Sequence, residues 1–368
     1  MTDSELPLTS DEITAEWLNR ALSDAGVLNG ATIGSFEREV IGGDVGFVGE
    51  LSRITLRYDE PVAGVPVSLI AKLPTQIEAV RNISLAFGFY EREVRFYQDL
   101  AEHIGVRTPR CYLSAMEPAS GRFVLLLEDL APGRGGDQLA SCALDEAKLI
   151  LGEVAKLHAQ WWNSPRFAEF PWLPTIDDPL LTQVLSVVYQ QSWPFFVEQF
   201  AGQLPDAIFD IGERFGKSFT TLVDSLKPRP STLVHTDFRL DNMFFDLADG
   251  SPFALIDWQL VQRGLGTGDV AYFLAGNFPI DIRRGHQTDL LHIYHDALLS
   301  HGVTDYDFEE CLEDYRRAAL FMMIFLVTGR EQVDMNAYGD RAQTLIDTMM
   351  ERYTTAILDL DAAEFLSA

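Results

Sequence analysis

Val234-His235-Thr236-Asp237-Phe238-Arg239-Leu240-Asp241-Asn242-Met243-Phe244-Phe245 is a polar loop with apolar residues at either end, and Ala254-Leu255-Ile256-Asp257-Trp258 follows it closely. A carboxylate on such a loop, here Asp237, can accept a proton from an attacking hydroxyl. A carboxamide five positions on, here Asn242, can turn its oxygen to a divalent cation. Asp257 comes fifteen residues after Asn242 and ends the apolar run Phe253–Ile256, so its carboxylate projects from a rigid strand edge. That placement suits a Mg2+ ligand bridging phosphate oxygens. Phosphoryl transfer asks a protein for little covalent chemistry but for this positioning and charge neutralisation.

Upstream of the loop the pattern is mainly β. Thr9–Ala25 predicts an opening helix, with Thr9 and Glu12 as a capping box and Ile13, Trp17, Leu18 and Leu22 at helical spacing. Strands are predicted over Ala31–Ile41, Leu51–Tyr58 and Val67–Leu73, with the glycine-rich turn Gly42–Gly49 between the first two. One embedded helix, Glu91–His103, and two strands, Arg110–Ala115 and Arg122–Leu127, complete this part. The linker Ala131–Gly136 breaks the pattern. Beyond it, helical periodicity dominates over Leu144–Trp162, Leu180–Phe200, Ala207–Leu226, Thr288–His301, Asp307–Thr328 and Gln343–Leu360, interrupted by a short β-rich island at Thr232–Asp257. The expected division is a β-rich lobe over 1–130 that binds nucleotide, and a helical lobe over 131–368 that carries the catalytic loop and the substrate-binding helices.

His235-x-Asp237-x-x-x-x-Asn242 followed by a strand-terminal Asp257 resembles the catalytic loop and metal-binding aspartate of kinases. In its details the stretch is similar to the aminoglycoside phosphotransferase and choline kinase superfamily, and looks closest to the ecdysteroid-kinase-like branch. Leu125-Leu126-Leu127-Glu128-Asp129-Leu130, Leu157-His158-Ala159-Gln160-Trp161-Trp162 and Gly268-Asp269-Val270-Ala271-Tyr272-Phe273-Leu274 share the likeness, which runs from about residue 35 onward. The resemblance implies an α+β, protein-kinase-like two-lobe fold and an ATP- and Mg2+-dependent phosphotransferase with an alcohol group as acceptor. It further implies Lys72 on the α/β-phosphates, Glu93 rather than Glu91 as its ion-pair partner, and Gly42 and Gly43 in a phosphate-cradling turn. The backbone of Glu128–Leu130 would hold the adenine. Asp237 would be the catalytic base, Arg239 would neutralise the transferring phosphoryl, Asn242 and Asp257 would bind metal, and Asp269 would brace the loop. The superfamily often has Gly where Thr236 stands. Trp258-Gln259 follows Asp257, so a protein-kinase activation loop is not expected. A nucleotide-binding pseudokinase is the alternative, disfavoured because every expected ionisable position is filled.

Composition narrows the partners. At ~150 residues per domain, the 368 residues suggest two domains, and 47% hydrophobic content is ordinary for a globular chain. With 28 Lys+Arg against 55 Asp+Glu the net charge is −27, which disfavours nucleic acid and anionic membrane surfaces. A neutral or cationic hydroxylated acceptor is favoured. Three scattered cysteines exclude a disulfide framework, and the acidic opening MTDSELPLTSDE reads as no secretory signal, so a cytoplasmic setting is expected. His286, His292, His295 and His301 read as separate surface or capping residues, Trp161 and Trp162 as core, and the acid-rich 289–314 stretch as a solvated face.

Overall fold

The computed structural model describes residues 6–42, 48–328 and 340–366. Gly43, with Asp44–Phe47, lies outside the described residues. The chain divides into two compact units. The first takes residues up to His103, Arg107–Arg134 and Asp246–Gln259; the second takes Ile104–Val106, Gly135–Phe245 and everything from Leu260 on.

The first unit is the β-rich one. Its five-stranded antiparallel sheet runs in the order β1 (Ile33–Ile41), β2 (Gly49–Tyr58), β3 (Ser68–Pro74), β5 (Arg122–Glu128), β4 (Cys111–Glu117). Helix α1 (Ala15–Asp24) covers one face, burying Trp17, Leu18, Ala21 and Leu22 against Leu69, Ala71, Leu73 and Leu126. Each fully buried leucine of this kind contributes roughly 1.5–3 kcal/mol. The helix opens at Thr14, whose hydroxyl accepts the Trp17 N–H at 3.1 Å, and not at the expected Thr9 capping box. Ser10–Glu12 forms only a short 3-10 turn, and the Glu12 carboxylate accepts the Leu8 N–H instead.

The expected helix Glu91–His103 is present as α3 (Phe89–Arg95), which continues through a π-helical turn, Phe96–Leu100, and it is preceded by a further helix, α2 (Glu78–Ala86), that was not expected. The expected 130/131 boundary differs from the observed units because Asp246–Gln259 returns to the first one. The Leu255 N–H bonds the Arg107 carbonyl at 2.8 Å, Arg107 pairs with Asp249 at 2.9 Å, and the Trp258 ring stacks on Phe96 at 4.2 Å.

The second unit is mainly helical: α4 (Leu144–Gln160), α5 (Pro179–Phe200), α6 (Asp206–Leu226), α7 (Gly266–Gly276), α8 (Ile280–Ser300), α9 (Phe308–Leu320), α10 (Met322–Thr328) and α11 (Asp340–Asp359). Helix α4 packs on α8, and α7 on α9. The expected single helix Asp307–Thr328 is broken at Phe321. Two features anchor the β-island: Thr232–Val234 pairs antiparallel with Gln262–Gly264, and α7 starts just after that second strand. The acid-rich 289–314 stretch is not wholly solvated. Asp314 is fully buried, accepting the Tyr306 hydroxyl at 3.0 Å beside Arg229 at 3.3 Å. No helix among the described residues is long and apolar enough to cross a membrane.

Candidate active site

In the first unit the site is organised around Lys72. Side chains alternate along β3, so with Ala71 and Leu73 facing α1, Lys72 points to the opposite face. Its Nζ lies 2.6 Å from Glu93 Oε2 on α3 and 2.6 Å from Asp257 Oδ1. Glu91 turns outward to Arg95 at 3.9 Å, so the ion pair is made by Glu93. Burial opposes a charged amine here, but Asp257 and Glu93 overcome it and hold Lys72 protonated, well above its ordinary range. Burial pushes the Glu93 carboxyl up; Lys72 opposes this and Asp257 adds to it.

Asp257 follows the short strand Ala254–Leu255 with φ +66°, a left-handed conformation that aspartate tolerates. Gly49, opening β2, keeps this corner close: a Cβ there would lie 3.2 Å from the Lys72 Cε and 3.1 Å from the Leu73 carbonyl, a crowding that would need a small shift. Gly42 closes β1 with φ +70°. At the end of β5 the Glu128 N–H bonds the Arg110 carbonyl at 2.8 Å, and its carboxylate takes Arg107 at 2.8 Å through both oxygens. The Leu130 carbonyl accepts the Gly133 N–H at 2.8 Å.

In the second unit the loop Val234–Phe245 presents Asp237. Asn242 Nδ2 donates to the Asp237 Oδ2 at 2.8 Å and to its carbonyl at 2.9 Å. The Tyr272 hydroxyl donates to Oδ1 at 3.1 Å, and Arg239 Nε lies 3.1 Å from the same oxygen. Burial alone would raise the Asp237 carboxyl. Arg239, His235 and the hydrogen bonds from Asn242 and Tyr272 outweigh it and hold the group below the usual carboxylate range. Arg239 is itself buried, and its second partner is Asp241 at 3.2 Å.

The loop backbone is pinned from behind. Asp269, on α7, accepts the His235 N–H through Oδ2 and the Thr236 N–H through Oδ1, each at 2.8 Å. Asn277, at the end of α7, accepts the Leu240 N–H at 3.0 Å. These bonds hold Thr236 at φ +73°, a conformation glycine adopts freely and a β-branched residue avoids. The departure from the superfamily's usual glycine is therefore a strained position. The Thr236 hydroxyl also accepts a hydrogen bond from Gln262 Nε2 at 3.1 Å.

Each unit, taken by itself, holds one oxygen donor of a kind that a divalent cation takes. Mg2+ keeps waters and usually takes one or two protein oxygens plus substrate phosphates. Asn242 has turned its amide N–H groups to Asp237, so the group it offers a cation is its carbonyl oxygen. Asp257 offers a carboxylate. Among the described residues there is no cluster of three or more His, Cys, Asp or Glu side chains of metal-binding geometry. His292 stacks on Phe308 at 3.5 Å and His295 Nε2 meets the Tyr306 carbonyl at 2.9 Å, so the histidine pair has separate structural roles. Trp161 is fully buried among Phe167, Phe170 and Arg166.

Tyr272 and His158 were missed as site residues, although both lie in stretches that carried the resemblance. A period-3.6 reading of α7 would have found Tyr272, because it sits one turn beyond Asp269 on the same helix face.

A model of the ecdysteroid kinase-like family matches residues 43–303. The chain belongs to the ecdysteroid kinase-like family. Its fold is shared by solved structures of low identity. One is an assigned aminoglycoside phosphotransferase from Ralstonia eutropha JMP134, 13% identical with a TM-score of 0.52, the match covering 95% of this chain and 99% of that one. Another is an aminoglycoside 2'-phosphotransferase in complex with GDP, 14% identical with a TM-score of 0.51 over 89% and 97% of the two chains. A mouse protein, acyl-CoA dehydrogenase family member 10, is 44% identical over 55 residues, which are 14% of this chain and 5% of that protein. This member of the family thus combines a kinase-like fold with the Lys72–Glu93 ion pair and the anchored Asp237 loop.

Proposed function

We propose that the protein is an ATP-dependent small-molecule kinase that transfers the γ-phosphoryl group to an alcohol of a neutral or cationic acceptor. The observation that carries this reading is the placing of Asp237: its carboxylate is oriented by Asn242 and Tyr272, held below the usual range by Arg239, and set on a loop braced by Asp269. Such a carboxylate can align an acceptor hydroxyl and take its proton as the oxygen attacks phosphorus. Arg239 keeps the carboxylate charged and adds positive charge beside the reacting oxygens. In the first unit, Lys72 holds the α/β-phosphates and Glu93 orients it. The Leu130 N–H and the Glu128 carbonyl are the hinge groups for the adenine, and Gly42 and Gly43 belong to the phosphate turn. Asp257 and Asn242 are the protein ligands for Mg2+, which when bound neutralises charge on the transferring phosphoryl. The long acidic excess steers cationic acceptors in and anionic ones away.

The test is a panel of hydroxylated amines, aminoglycosides, sterols and sugars assayed by coupled ADP release in the presence of Mg2+. Acceptor-dependent ADP release with a phosphorylated product supports the reading. Nucleotide binding without transfer to any acceptor, unchanged on extending the panel, would assign the protein to a binding role instead.

A further inference from the structure

Behind the loop that carries Asp237, three buried side chains form a row ending on the loop's backbone. Asp269 holds the His235 and Thr236 N–H groups at 2.8 Å each. His158, from α4, turns Nε2 to Asp269 Oδ2 at 3.4 Å, and its Nδ1 lies 2.8 Å from the Tyr294 hydroxyl on α8. His158 and Tyr294 are wholly buried and Asp269 is 1% exposed. Gly266 leaves the row its space: a Cβ there would stand 2.6 Å from the Tyr294 hydroxyl and 2.9 Å from His158 Nδ1.

The protonation pattern follows from what each group can do. The Asp269 carboxylate accepts hydrogen bonds and donates none, so the ring nitrogen facing it presents an N–H. A neutral imidazole protonated at Nε2 has its lone pair on Nδ1, and the Tyr294 hydroxyl must then donate to it. Burial above all, with Cys311, Asp269 and Asp314 adding, keeps the Tyr294 phenol far above its ordinary range, so its proton stays in place.

We propose that Tyr294 is a positioning residue for phosphotransfer: by donating to His158 Nδ1 it fixes the Nε2–H tautomer, and that N–H sets the Asp269 carboxylate to receive the His235 and Thr236 backbone. The loop depends on this setting because Thr236 occupies φ +73° and leaves that conformation once Asp269 no longer holds it. The proposal rests on reading the Asp237 loop as catalytic, but its decisive readouts need no turnover.

The full chain is labelled with 15N-histidine, and long-range proton–nitrogen correlations of the imidazoles are recorded at neutral pH, with His158 assigned from the signals lost in His158→Gln. The wild-type ring should show a protonated Nε2 and an unprotonated Nδ1. Tyr294→Phe should shift the Nδ1 signal and end the single tautomer. It should also speed amide exchange at His235 and Thr236 by on the order of tenfold relative to other buried amides. With an acceptor in hand, kcat should fall about 3- to 10-fold while the KM for ATP stays put. A wild-type His158 protonated at Nδ1 overturns the proposal, even if Tyr294→Phe does not fold. So does a folded Tyr294→Phe whose His158 tautomer and two loop amides are unchanged. If no acceptor is ever phosphorylated while the tautomer and exchange results hold, the phosphotransfer reading fails and the positioning of the loop stands.

Discussion

Replacing Asp269 by Asn should cost more activity than stability, and the difference is set by Thr236. The carboxylate accepts two backbone N–H groups at 2.8 Å, one on each oxygen. Bonds to a charged acceptor contribute about 1.5–3 kcal/mol each. Asn keeps one acceptor oxygen and turns an amino group toward the other N–H, so one bond is lost outright. Against this, Thr236 can then leave φ +73°, releasing about 1–2 kcal/mol of left-handed strain. The net loss in unfolding free energy should be only about 1–2 kcal/mol. The loop, however, leaves the conformation that presents Asp237, and kcat should fall by about 10²-fold or more. Adding Thr236→Gly to Asp269→Asn should return about tenfold of that kcat, because glycine re-enters the left-handed conformation without strain. The four proteins of this double-mutant cycle are compared by urea unfolding and by acceptor-dependent ADP release. An Asp269→Asn enzyme within threefold of wild type, or no recovery on adding Thr236→Gly, would refute the reasoning.

Lys72→Met should abolish transfer, and because it leaves Glu93 and Asp257 without their shared cation, ATP-dependent turnover should drop by more than about 10²-fold while the variant still unfolds cooperatively in urea; near-normal turnover would remove Lys72 from the site. Gly266→Ala should destabilise by about 1–3 kcal/mol, since its Cβ would lie 2.6 Å from the Tyr294 hydroxyl; a change under about 0.5 kcal/mol in urea midpoints would show that α7 and α8 give way there. Burial pushes the Asp314 carboxyl up to about 6, so between roughly pH 4 and 6 the folded chain holds a proton that the unfolded chain has lost. Its contribution to stability is therefore present at low pH and lost as pH rises through that window, by up to about 3 kcal/mol, and Asp314→Asn should flatten that part of the pH–stability curve; an unchanged slope would mean that Arg229 fully compensates the charge.

The architecture was legible where periodicity is strong and chemistry is concentrated. The five strands of the first unit and the helices α4, α5 and α6 fall close to their expected ranges, because alternation and 3.6-residue spacing are direct consequences of burial on one face. Helix α7 was not predicted: its sequence begins Gly266-Thr267-Gly268, a poor helix former, and it exists because almost every residue of it is buried by its neighbours. The first half of α8, rich in charge at Ile280–Gln287, carries too little apolar rhythm to be read as a helix, whereas α2 is short but has Val80, Ile83 and Ala86 at helical spacing and was readable.

At the site, the sequence paired Lys72 with Glu93, Asp237 with Asn242, and Asp269 with the loop, and these residues do meet within each unit. Arg239, expected beside the transferring phosphoryl, also pairs with the carboxylates of Asp237 and Asp241, contacts that the sequence reading did not give. Tyr272 could be reached only through its spacing from Asp269 on α7, while the contact of His158 with Tyr294 joins residues 136 positions apart, and no local pattern encodes that meeting.

The central claim is that Asp237 acts on the acceptor and Asp257 on the metal-bound nucleotide. Isothermal titration of MgATP into wild type, Asp237→Asn and Asp257→Asn, beside their turnover, separates the two. Asp237→Asn should keep the wild-type MgATP affinity within a few-fold while kcat falls by about 10²–10⁴. Asp257→Asn should lose both turnover and the Mg2+-dependent part of nucleotide affinity. Equal loss of MgATP affinity in both variants, or full activity in Asp237→Asn, would contradict the account.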